Sequence, residues 1–250
     1  MRRDIPADIK RKVRKKCYFG CVICGGPIYE YEHIVEWSKI KEHTVDNIVL
    51  LCPNHHSMVT KGIISKDSIK SSVENPFNKN RKFTEVQSLY CLSKSVDFIF
   101  QLGLFRLTFE DELLEGETIK FISLADVDIF YLRRIENKLL INLIVFDEYG
   151  VLSVVINDGE LMHKVEAWDI TFIGTKLIIK NKERDSKKNV EIDITGNRIS
   201  LDKVWMNHLG RSLIVDKNIV KMNGISIKTD EDGGATFVGS TFKGPIFRIQ

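Results

Sequence analysis

Two short ligand spacings constrain this chain more than any other feature: Cys21-Val22-Ile23-Cys24-Gly25-Gly26, and downstream Cys52-Pro53-Asn54-His55. Each C-x-x-C or C-x-x-H turn places two soft ligands on one tight bend, and two such pairs suit a tetrahedral zinc ion. Gly25 and Gly26 are expected to let the backbone fold over the sulfurs, and Pro53 to open the second turn. The chain has five cysteines; an odd count with four of them in the first 52 residues does not fit a disulfide framework. Cys17 and Cys91 read as packing residues. A core this small is marginal alone, so zinc would act as its staple.

The 250 residues are 43% hydrophobic and 28% charged, ordinary globular usage that excludes wholesale disorder. The longest apolar stretch, Leu139 to Phe146, is far short of the roughly 20 residues that cross a bilayer, and no apolar run follows the basic residues of the first segment. The expectation is a soluble, cytoplasmic protein without membrane contact. Net charge is only +3, but residues 1–70 carry 13 Lys or Arg against 8 Asp or Glu. A basic end favours a polyanionic partner, because neutralised phosphates release counterions.

Pro6 suits the first turn of a helix, which is expected to run to Lys16 with Ile9 and Val13 on one face. Residues 28–34 alternate as a strand, 47–51 read as a second strand, and 54–60 as a short helix. Residues 71–82 are polar and read as a linker, while Val86, Leu89, Tyr90, Val96 and Phe100 have helical spacing, which predicts a connecting helix over 82–104. From Phe105 the pattern turns to short strands punctuated by Gly, Asn and Asp, including TIKFISL, LLINLIVF, LSVVI, KLIIK and VEIDI. The division expected is 1–70, then 71–104 as linker and helix, then a mainly antiparallel all-β domain over 105–250 (sandwich, barrel or short solenoid). The fold class is thus α+β. His163, His208, Trp168 and Trp205 read as structural.

Between the proposed zinc ligands lies EYEHIVEWSKIKEHTVDNIVLLCPNHHSM, with Glu32-His33, Asn47 and His56 in succession. These residues, with the cysteine pairs and the lead-in helix IPADIKRKVRKK, resemble the HNH endonucleases of the ββα-metal fold, zinc-stapled type. The resemblance covers residues 1 to about 70. It implies that His33, Asn47 and His56 are the H-N-H triad, with Glu32 where the family more often has Asp. His33 would be the general base for the attacking water. Glu32 and His56 would hold one Mg or Mn ion, and Asn47 would fix the loop that carries His33. Glu30 or Glu36 can substitute for Glu32. His55 and His56 are adjacent and their roles can be exchanged; the pair spacing assigns Cys21, Cys24, Cys52 and His55 to zinc. His43 reads as an exposed loop residue.

The expected function is metal-dependent hydrolysis of DNA, double-stranded in the first instance, with Lys10, Arg11, Arg14, Lys15 and Lys61 as candidate phosphate contacts. The alternative is a zinc-stapled DNA-binding protein without catalysis. Two-part proteins of this family often serve in restriction or antiphage defence, so the β-rich part is expected to sense or bind an activating partner or a second copy of the chain.

Overall fold

The computed structural model describes residues 4–89, 95–100, 103–108, 116–135, 138–182, 190–195, 198–216, 219–227, 236–238 and 247–249. Cys91, and Tyr90 of the expected connecting helix, lie outside these residues. The chain forms two compact units, one of residues 1–87 with 162–172, the other of 88–161 with 173–250. The first therefore extends past residue 70 and recruits a distant segment.

In the first unit, helix α1 (Ala7–Lys16) precedes strand β1 (Glu30–His33), the single turn α2 (Trp37–Ile40), strand β2 (Ile48–Leu51), helix α3 (Pro53–Thr60) and helix α4 (Lys66–Glu74). β1 and β2 pair antiparallel, with Glu32 opposite Val49 and His33 opposite Ile48. All four residues of β2 are fully buried, which explains its unbroken apolar run: a strand covered on both faces need not alternate. They pack with Val13 and Cys17 from the α1 end, Val22 and Cys21 from the cysteine turn, Val59 of α3 and Ile69 of α4. Each buried aliphatic side chain contributes about 1.5–3 kcal/mol.

The returning segment completes this unit. Arg14, 7% exposed, donates from Nε to Asp169 Oδ1 at 2.8 Å and from Nη2 to Oδ2 at 2.6 Å, the bidentate fork that suits a carboxylate. Its Nη1 donates to the Tyr31 hydroxyl at 2.6 Å. The Arg11 guanidinium lies 3.8 Å from the Trp168 ring centroid, and the Tyr29 hydroxyl donates to the Ile170 carbonyl. His163 is fully buried; burial pushes its pKa down to about 4, so the ring is neutral and its Nδ1–H donates to the Lys164 carbonyl at 2.8 Å.

The remaining strands are β3 (Gln87–Ser88), β4 (Ser95–Phe100), β5 (Gly103–Thr108), β6 (Thr118–Leu124), β7 (Val127–Ile135), β8 (Lys138–Phe146), β9 (Leu152–Asn157), β10 (Glu160–His163), β11 (Asp169–Ile173), β12 (Lys176–Lys180), β13 (Val190–Thr195), β14 (Arg198–His208), β15 (Arg211–Asp216), β16 (Ile219–Met222), β17 (Ile225–Ile227), β18 (Thr236–Val238) and β19 (Phe247–Ile249). They form a seven-stranded sheet in the order β19-β6-β7-β8-β9-β10-β3, and a ten-stranded sheet built on β11 through β17 with β4, β5 and β18 attached. The hairpin pairings are antiparallel; β14 with β4, β18 with β5 and β19 with β6 are parallel. No helix among the described residues is long and apolar enough to cross a membrane.

The described residues of 82–104, where a helix was expected, form strands β3 and β4 and no helix. Residues 95–100 are β4, paired antiparallel with β5 and parallel with β14. Ser-Val-Asp-Phe-Ile-Phe is rich in β-branched and aromatic residues, and pairing with the adjacent β5 and the remote β14 decides its conformation. Residues 71–74, read as linker, instead close α4, whose start is capped by the Ser65 hydroxyl accepting from Ser68 N.

Candidate metal and active site

The cysteine turn is built by backbone geometry. Gly25 N donates to Cys21 O at 2.7 Å and Cys21 N to Gly26 O at 2.9 Å, while Val22 N donates to Leu50 O and ties the turn to β2. Gly25 has φ +74°, and a Cβ there would lie 2.4 Å from Asn78 Oδ1 and 2.5 Å from the Phe77 ring. Of Gly25 and Gly26, it is Gly25 that is required; a Cβ on Gly26 would meet nothing closer than 3.6 Å. At the start of α3, Cys52 is the N-cap, so its sulfur and the His55 ring project together from the first turn.

Four ligand atoms converge as the spacing predicts. Cys21, Cys24, Cys52 and His55 place theirs within 4.8 Å of one another. His55 Nδ1 lies 3.2 Å from Cys52 Sγ and 3.5 Å from Cys21 Sγ, and Cys24 Sγ lies 3.8 Å from Cys52 Sγ. The hydrogen bond from Cys24 is the largest influence on Cys21 and holds its thiol down at about 5, while that bond and burial push Cys24 up. Three sulfurs crowded this closely share negative charge poorly, and a divalent cation relieves that conflict by making all three thiolates. The Cys3His set suits a structural zinc. Purified protein is expected to retain about one zinc per chain, and Cys52→Ser to lose both the metal and cooperative folding. Folded, metal-free protein by elemental analysis would rule the clamp out.

Beside this staple, β1 directs Glu30 and Glu32 to one face, two residues apart, and α3 sets the His56 ring between them. His56 Nε2 is 3.0 Å from Glu32 Oε2 and Nδ1 is 3.1 Å from Glu30 Oε2. A neutral imidazole carries one N–H. With that proton on Nδ1 and donated to Glu30, the Nε2 lone pair faces the Glu32 carboxylate, a donor pair that fits a divalent ion. Glu36 lies elsewhere, paired with Lys39 at 3.3 Å. Lys66, the first residue of α4, sets its ammonium against Glu32 Oε1 and donates to the His33 carbonyl at 2.9 Å. Sequence reasoning missed Lys66, which lies 34 residues from Glu32 with no local pattern joining them.

His33 ends β1 and is partly exposed. Burial, the nearby His43 and the Lys66 charge lower its pKa below the usual 6.5 against the opposing pull of Glu32, so its ring is neutral near pH 7. Asn47 closes the loop after it on both sides: Val35 N donates to Oδ1 at 2.7 Å and Nδ2 donates to Val35 O at 2.9 Å, with Ile34 N donating to Asn47 O. His43, expected in solvent, is 9% exposed, stacked on Trp37 with centroids 4.1 Å apart.

The basic candidates separate. Arg14 and Arg11 are engaged by Asp169 and Trp168 as described. Lys10 leans over the Tyr31 ring, Lys15 is exposed on α1, and Lys61 is exposed at the C-cap of α3.

Residues 21–62 match the HNH endonuclease family. The matched segment begins at Cys21 and includes β1, β2 and α3. No curated protein and no solved structure matches the chain.

Proposed function

We propose that this protein is a metal-dependent endonuclease that hydrolyses phosphodiester bonds of double-stranded DNA. The observation that carries this reading is the Glu32–His56 pair, formed within the segment that matches the HNH family and immediately beside His33. A Mg or Mn ion held by Glu32 and His56 would supply the positive charge that polarises the phosphate and eases departure of the 3′ oxygen. His33, neutral near pH 7, takes the proton of the attacking water. Asn47 holds the loop so that the His33 ring stays in place, and Glu30 fixes the orientation of His56. Lys66 offsets charge at Glu32. Lys10, Lys15 and Lys61 supply sequence-independent attraction to the DNA backbone, and the zinc clamp holds β1 and α3 in register. The β-rich unit is the part assigned to control.

The test is incubation of the zinc-loaded full chain with supercoiled plasmid and Mg or Mn. Conversion to nicked or linear product, suppressed by a chelator, is expected; intact plasmid with both ions would end the nuclease reading.

A further inference from the structure

The loop of residues 34–47 is closed twice. Asn47 ties its base to Val35 and Ile34, and inside it the His43 ring lies nearly parallel to the Trp37 indole, at 18°. The second closure has a directional consequence: it returns His43 Nδ1 to within 3.1 Å of His33 Nε2. The His33 ring also leans on Trp37 at 5.9 Å. An aromatic stack and a hydrogen bond thus fix the ring of His33 from one side, with the imidazole that does so buried.

We infer that His43 is a positioning residue for His33, accepting a hydrogen bond from its Nε2–H and so leaving its Nδ1 lone pair for the substrate water. This rests on the reading of His33 as general base. One hydrogen lies between the two rings, and it has two possible owners. If His43 Nδ1 carried it, the Nε2 lone pair of His33 would be consumed and its Nδ1 would bear the ring proton, so neither nitrogen could accept one. If His33 Nε2 carries it, Nδ1 of His33 is free and His43 bears its own proton on Nε2. That atom is buried and has no hydrogen-bond partner, so His43 touches neither DNA nor metal and acts only through His33. The arrangement follows the same logic as a group that orients a catalytic histidine through its far nitrogen and thereby selects its tautomer.

Two substitutions separate the hydrogen bond from the packing. His43→Phe keeps an aromatic ring on Trp37 but removes the acceptor; His43→Asn keeps an acceptor near the Nδ1 position but gives up the stack. With the full chain at saturating plasmid, His43→Phe is expected to lower kcat by about ten- to a hundredfold with KM for DNA unchanged, and His43→Asn to recover most of that loss. Nitrogen-15 NMR of the imidazoles, which needs no metal or substrate, is expected to show His33 protonated on Nε2 in the wild type and a mixture of tautomers in His43→Phe. Wild-type or faster cutting by His43→Phe, a change in KM alone, or a wild-type His33 protonated on Nδ1 overturns the inference. Plasmid left intact by the wild type overturns the nuclease reading instead, and the NMR result still decides the role of His43.

Discussion

Replacing His33 by alanine is expected to slow plasmid cleavage by about 10²–10⁴-fold, the usual contribution of a positioned general base, while zinc content, thermal unfolding and DNA binding stay near wild type. The separation is possible because His33 lies at the end of β1 and outside the buried cluster formed by Val13, Ile48–Leu51, Val59 and Ile69. Removing its ring loses contacts with His43 and Trp37 but opens no hole in that core. The pH dependence should carry the same signature. Burial, with help from His43 and Lys66, keeps the His33 pKa below 6.5. A base is active when deprotonated, so the wild-type rate should hold as pH falls through 6.5 and decline only at the lower value. Undiminished cutting by His33→Ala, or an acidic limb at or above 6.5, would remove this residue from the mechanism.

Asp169→Ala should destabilise the protein by about 3–5 kcal/mol, because it leaves the Arg14 guanidinium buried without its counter-charge. Both partners are less than a tenth exposed along their side chains, so water cannot take over the lost contacts. The melting temperature is expected to fall on the order of ten degrees. Changing both residues to leucine should recover much of the loss, since the cost lies in the orphaned charge rather than in the missing attraction. A melting curve for Asp169→Ala that overlays the wild type would show that the ion pair does not hold α1.

The clustering of Cys21, Cys24, Cys52 and His55 was legible in the sequence because its constraint is local, and the approach of His56 to Glu32 through the resemblance to the HNH pattern. Ligands must leave one tight turn together, and Cys21-x-x-Cys24 and Cys52-x-x-His55 state that directly. β2 was legible because Ile48–Leu51 is an unbroken apolar run, and the β-rich part from short apolar runs punctuated by Gly, Asn and Asp. What escaped depends on partners remote in sequence. Val86, Leu89, Val96 and Phe100 fall at helical intervals by coincidence, and the pairing of β4 with β14 overrides them. Arg14 read as a phosphate contact because nothing near it shows that Asp169, 155 residues away, claims its guanidinium. His43 looked like solvent-exposed loop because the stack on Trp37 depends on how the whole 34–47 loop closes. Lys66 escaped for the same reason, and α4 was missed although Ser65 before Ile69 and Val73 is a local capping signal.

The return of residues 162–172 to the first unit bears on how such a protein can be inherited or rebuilt. A single recombination junction placed anywhere between residues 88 and 161 would part Arg14 from Asp169 and Arg11 from Trp168. Exchanging the β-rich portion for another therefore takes three crossovers, at its start and on either side of this short stretch, or a graft in which the newcomer brings its own equivalent of Trp168 and Asp169. The two parts of the chain are in that sense a single heritable piece.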